Sequence, residues 1–182
     1  MQVDWAAVRI EDVLDLAQMT GVRETVVQAL SALRTGQNVI LIGPPGSGKT
    51  TLAEAIFKAA HAAYDLRCAS DHWTTFETIG GYFPEPTANG STLTFQPGAI
   101  IGSVQKNRCV VIDEINRADI DKAFGELFTI FGSKAATAIR LPLQVLNKAG
   151  EKRNLVLAKA DPGTGALPAI ELDEEAIAIP KD

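Results

Sequence analysis

The eight residues Gly43-Pro44-Pro45-Gly46-Ser47-Gly48-Lys49-Thr50 restrict the possible folds of this chain more than any other stretch, because they follow directly on the apolar run Val39-Ile40-Leu41-Ile42. The pattern G-x-x-x-x-G-K-S/T between a strand and a helix is a phosphate-binding loop. Its glycines let the backbone turn tightly around an anion, so that several N–H groups converge on it. The helix that follows brings its positive N-terminal end to the same point. The spacing therefore predicts a nucleotide cradle made of Gly43, Pro44, Pro45, Gly46, Ser47, Gly48, Lys49, Thr50 and Thr51. Lys49 is expected to reach the β- and γ-phosphates, and the hydroxyl of Thr50 to bind Mg²⁺. A continuous apolar run before such a loop is the pattern of a strand buried on both faces of a parallel sheet.

A second run has the same character. Cys109-Val110-Val111-Ile112 is fully apolar and ends in Asp113-Glu114. A buried strand delivers the residues at its carboxyl end to a fixed point beside the ligand. Asp113 is the expected Mg²⁺ residue, acting through the metal's waters. Glu114 is the expected group that orients or deprotonates the attacking water.

The rest of the pattern alternates helices with strands. Val22, Val26, Ala29, Leu30 and Leu33 fall at helical spacing with Gly36 as a stop, and a weaker helix is expected around Val8, Val13, Leu14 and Ala17. Helices are also expected over 51–63, from Pro97 to about Lys106, and from Asp119 onward with Ile120, Phe124, Leu127 and Phe131 on one face. Short strands are expected at 66–69 and 93–95, the latter after the hairpin signal Asn89-Gly90, and a β-hairpin at 139–146 and 155–158. Together these predict a three-layer α/β domain with a parallel central sheet and β-hairpin insertions. Phe124, Phe128 and Phe131 are read as core, and Cys68 and Cys109 as small buried hydrophobes. His61 sits where a cation suits a helix end. His72 lies near Cys68 and Asp71 with too few ligands for a metal site. Trp73, Phe76 and Tyr82 either pin their loop to the domain or grip a polymer.

At 182 residues the chain is long enough for one ordinary domain. Its net charge of −5 provides no global basic field for nucleic acid. No basic region followed by an apolar one begins the chain, and no apolar run is long enough to span a bilayer. The expectation is a soluble cytoplasmic protein without membrane association.

The string Asp113-Glu114-Ile115-Asn116-Arg117-Ala118-Asp119 is more specific than an acidic strand end. With Phe95-Gln96-Pro97-Gly98-Ala99-Ile100 upstream and Phe124-Gly125-Glu126-Leu127 downstream, it resembles the AAA+ ATPases of the McrB and MoxR type, and McrB-like NTPases more closely. The segment from Trp73 to Tyr82 is similar to a loop of the same proteins, and the resemblance runs over about 22–133. It implies a P-loop NTPase core that hydrolyses ATP or GTP with Mg²⁺ and works as a homo-oligomeric, usually hexameric, ring. It further implies remodelling of DNA or protein, with a nuclease as a possible partner. By the resemblance, Lys49, Glu114 and Asn116 are the catalytic residues: either Asn116 orients Glu114 and Arg117 reaches a neighbouring subunit, or both are polar residues that cap the next helix.

A sensor strand, arginine fingers and a helical lid are not evident. Ala176-Ile177-Ala178-Ile179 reads as the approach to that strand, and Arg140 and Arg153 are not promoted to fingers. The chain thus reads as a single domain over 1–182, C-terminally incomplete, with 134–182 as hairpin and tail and no lid. An arginine finger is worth about 10³–10⁵ in rate. The alternative expectation is therefore a nucleotide-binding assembly module with little turnover.

Overall fold

The computed structural model describes residues 3–87, 90–128, 137–146, 151–159 and 174–179. Its elements run α1 (Ile10–Ala17), α2 (Arg23–Arg34), α3 (Lys49–Ala59), β1 (Tyr64–Cys68), α4 (Thr75–Thr78), β2 (Gly80–Thr87), β3 (Gly90–Pro97), α5 (Ala99–Gln105), β4 (Cys109–Asp113), α6 (Ile120–Phe124), β5 (Thr137–Leu146), β6 (Lys152–Lys159) and β7 (Glu174–Ile179). Short 3₁₀ turns occupy Ile115–Arg117 and Gly125–Leu127. Among the described residues, no helix is long and apolar enough to cross a membrane.

The chain is α/β. β1 and β4 pair in parallel, from Tyr64↔Cys109 to Cys68↔Asp113. A parallel pair needs a crossover connection, and here it contains α4, the β2–β3 hairpin and α5. β5 and β6 form the expected hairpin, and β7 adds to β6 in parallel. The turn of that hairpin at 147–150 lies outside the described residues, as do Asn89 and Phe131.

Two apolar clusters organise the packing. The first joins α1, α2 and α3 through Val13, Ala17, Val26, Leu30, Leu52 and Ile56, with Val39 and Leu41 against it. The second joins Trp73, Ile79, Ile100, Ile101, Phe124 and Leu127 to Leu155 and Leu157, with Val110 and Ile112 of β4 packed on it. Full burial of one such side chain is worth about 1.5–3 kcal/mol.

A polar tie holds the start of β1 to α5 and β4. The Arg108 guanidinium donates through Nε to Asp65 Oδ1 at 2.7 Å, and through its other arm to the Tyr64 carbonyl. The Ser103 hydroxyl lies 2.7 Å from Asp65 Oδ2. That hydroxyl, with the guanidinium, holds the Asp65 carboxyl below its ordinary value against the opposing effect of burial.

Several expectations change in three dimensions. The run 39–42 alternates, with Val39 and Leu41 half-buried but Ile40 and Ile42 exposed at 70% and 93%. It belongs to no strand, because among the described residues no neighbour pairs with it in a ladder. Pro97 ends β3 instead of starting α5, and Gly98 caps that helix. A Cβ on Gly98 would lie 2.6–2.7 Å from backbone atoms of Thr78 and Glu77, so glycine is required for the close approach of α4 and α5.

The segment 80–87 pairs with 90–97 as an antiparallel hairpin, although it contains Pro84 and Pro86. Proline is tolerated at strand positions whose N–H would face away from the ladder, and positions 84 and 86 share one parity. Phe128 is 49% exposed and not core. The 3₁₀ turn at Gly125–Leu127 breaks the 3.6-residue period that would have aligned it with Phe124. Cys68 is exposed where a buried residue was expected, while Cys109 is half-buried, and no disulfide joins them. The register places them at opposite ends of the β1–β4 pair.

Trp73 and Tyr82 pin their loop inward. Trp73 is buried with its ring 6.1 Å from that of Phe124, and Tyr82 meets Phe95 edge-on. Phe76 stays partly exposed and packs on Phe83 at 4.8 Å. His61 adopts a positive φ just beyond the end of α3. His72 is exposed beside Asp71, and no metal-competent cluster of His, Cys, Asp or Glu occurs among the described residues.

Candidate nucleotide site

The phosphate-binding sequence forms the turn that enters α3. Gly48 takes φ +78°, a left-handed conformation that L side chains rarely adopt, and it serves as the N-cap of α3. No side chain caps α3. The unsatisfied N–H groups of its first turn, together with the helix dipole, are therefore available to an anion. Lys49 folds back over the loop, and its Nζ donates to the carbonyl oxygens of Gly43 and Pro44, each at 3.0 Å. The Ser47 N–H donates to the Pro44 carbonyl at 3.3 Å and tightens the turn.

Opposite the loop stands the carboxyl end of β4. Asp113 accepts from the Thr50 hydroxyl through Oδ2 at 3.0 Å and from the Glu114 N–H through Oδ1 at 2.9 Å. Both of its oxygens are oriented, one by a residue 63 positions away. Ala69, just past β1, donates its N–H to the Asp113 carbonyl and steadies the strand end. Glu114 has φ +53° and ψ +35°, an uncommon conformation for a residue with a Cβ. Left-handed non-glycine residues concentrate at functional sites, where the strain is part of the arrangement. That reversal lets two adjacent strand-end residues turn toward the same cleft.

The cleft so formed has a volume of about 330 Å³ and is lined by Pro45, Gly46, Gly48, Lys49, Thr50, Thr51, Asp113 and Glu114. Gly43 and Pro44 act from behind through the carbonyls that hold Lys49, and Ser47 through its turn bond. Asn116 departs from the expected constellation. It is exposed on the 3₁₀ turn after Glu114 and is not among the lining residues, because the left-handed Glu114 turns the chain away from the cleft. Arg117 is exposed on the same turn.

One neighbour of the loop has no signal in the sequence. Met19 lies in the turn between α1 and α2, and its Cε would be 2.5 Å from a Cβ built on Gly48. Nothing in residue spacing connects positions 19 and 48.

Comparison with known proteins agrees with this geometry. The profile of the AAA domain, dynein-related subfamily, matches residues 38–159. An uncharacterized protein of Bacillus subtilis, YojN, is 36% identical over 92 residues, which is 50% of this chain and 30% of YojN. The Lon protease of Rhizobium meliloti is 33% identical over 115 residues, 59% of this chain and 13% of that protein. The McrB subunit of the type IV methyl-directed restriction enzyme of Escherichia coli K12 is 30% identical over 118 residues, 58% of this chain and 25% of that subunit. The matched region thus spans under a third of each of these relatives.

Proposed function

The chain belongs to the AAA family of ATPases, in its dynein-related subfamily, and on that premise we propose that its cleft binds Mg²⁺·ATP or Mg²⁺·GTP and hydrolyses it. The observation that carries this reading is the bond from Thr50 to Asp113, which joins the phosphate-binding loop to the acidic strand end across 63 residues. The N–H groups entering α3 and the Lys49 ammonium hold the phosphate chain. The Thr50 hydroxyl and the Asp113 carboxylate are hard oxygen donors that suit Mg²⁺, an ion typically held by one or two carboxylates together with substrate phosphates. The ion, when bound, supplies neutralisation of the charge that develops on the phosphates. Glu114, whose N–H is committed to Asp113, lines the cleft and is the group that would orient a water and accept its proton.

Lys49 is the only cation on the cleft lining among the described residues. Phosphoryl transfer is strongly accelerated by a second cation, an arginine supplied in cis or in trans. We therefore read turnover as completed by another copy in a homo-oligomeric ring, with Arg117 on the exposed turn as the side chain that reaches it. Isolated subunits are then nucleotide-binding modules with little turnover. The likeness to an McrB subunit and to Lon proteases supports coupling of hydrolysis to remodelling of DNA or protein, with a nuclease among the partners to be tested.

The test is phosphate release from Mg²⁺·ATP and Mg²⁺·GTP across a range of protein concentrations, beside Glu114→Gln. Specific activity should rise with concentration, and Glu114→Gln should keep nucleotide affinity while losing at least about 100-fold in turnover. Unchanged turnover in Glu114→Gln removes that residue from the chemistry.

A further inference from the structure

We infer that Met19 is a positioning residue for the phosphate-binding loop, acting by holding Gly48 in the left-handed conformation from which the loop passes into α3. The inference rests on the nucleotide-binding reading of the cleft and adds a residue to it.

Three observations converge. Gly48 lines the cleft and sits at φ +78°, and the amides that follow it belong to the anion-binding end of α3. On its other side Met19 is in close contact: a Cβ on Gly48 would lie 2.5 Å from Met19 Cε and 3.0 Å from its sulfur. Met19 is itself held from behind. α1 ends at Gln18, which is left-handed at φ +53° and donates its N–H to the Leu14 carbonyl. The buried face of α1, Val13 and Ala17, packs in one cluster with Leu52, Ala55 and Ile56 of α3. The turn carrying Met19 is therefore clamped to the helix that Gly48 begins. A flexible thioether fills an irregular gap of this kind well. A ligand site loses affinity when the shell supporting it is loosened, and in metal sites the supporting contacts carry about 10–100-fold.

The experiment is calorimetric titration of the 182-residue chain with Mg²⁺·ATP and, separately, with Mg²⁺·tripolyphosphate, which has phosphates but no base. Wild type is compared with Met19→Ala, Met19→Val and Met19→Leu, and each variant's fold is checked by circular dichroism and thermal midpoint. Val keeps an apolar side chain but lacks the reach to Gly48, so it serves if the alanine variant does not fold.

Alanine and valine should weaken both ligands by about tenfold and by equal factors, and leucine should stay within about twofold of wild type. Unchanged affinities with a lowered thermal midpoint would reduce Met19 to scaffold and overturn the inference. A loss confined to ATP would overturn it differently, by making Met19 a base contact. A wild-type chain that binds neither ligand overturns the nucleotide reading itself, whereas wild-type binding with an indifferent Met19 overturns only this inference.

Discussion

Replacing Lys49 with alanine tests the cradle most directly. In this structure the ammonium donates to the Gly43 and Pro44 carbonyls at 3.0 Å each. Engaging the β- and γ-phosphates exchanges these for two bonds to an anion. Hydrogen bonds to charged groups contribute about 1.5–3 kcal/mol each, and the bonds given up offset about 1 kcal/mol each. The net is about 1–4 kcal/mol, or about 5- to 700-fold in Kd. Calorimetry with Mg²⁺·ATP reads this loss as a weakened or vanished isotherm. A thermal shift gives a second measure. Ligand at a hundred times Kd stabilises by about 2.7 kcal/mol, which for a chain of this size raises Tm by about 5–11 °C. Wild type should show that rise and Lys49→Ala a smaller one, while the two proteins unfold within a few degrees of each other without ligand. A variant that binds Mg²⁺·ATP within about threefold of wild type would refute the assignment of Lys49 and, with it, of the loop.

Two further outcomes concern the scaffold. The Asp65 carboxyl is held below its ordinary value of 3.8 by the Ser103 hydroxyl and then by Arg108, against the opposing effect of burial. A depressed carboxylate contributes stability that is fully present above its unfolded value and lost as pH falls through its folded one. Denaturant midpoints should therefore separate wild type from Asp65→Asn at pH 6, and the gap should close as pH falls below about 4; a gap that widens on acidification contradicts this. Thr78 is fully buried and donates its hydroxyl to the Ala123 carbonyl at 2.5 Å, joining α4 to α6. Thr78→Val keeps the shape but leaves that carbonyl without its donor. It should cost about 1–3 kcal/mol, read as a fall in Tm of several degrees with nucleotide affinity unchanged.

The candidate site was legible along the chain wherever it lies in contiguous residues. Gly43 to Thr50 announces a phosphate loop because closing a backbone around an anion demands glycines and a lysine at set spacing. Cys109 to Glu114 announces a strand ending in acids because burial selects apolar residues and stops where the strand meets solvent. The β5–β6 hairpin followed from two apolar runs separated by a short polar stretch of sequence.

Other features could not be read that way. Phe128 lost its place in the core to a local 3₁₀ turn, and Pro84 and Pro86 hid a strand whose ladder does not need their N–H groups. The apolarity of residues 39–42 marks a strand-like run, but strand formation requires a partner to complete the ladder.

The amino-acid order by itself determined the types of group available: the loop, its lysine, the hydroxyl of Thr50 and the two acids. Tertiary structure alone decided which of them meet. It brought Thr50 within 3.0 Å of Asp113 and pressed Met19 against Gly48. The physical reason is range. Backbone geometry and periodicity act over a few residues, while contacts between positions 50 and 113, or 19 and 48, exist only once buried faces have chosen their partners.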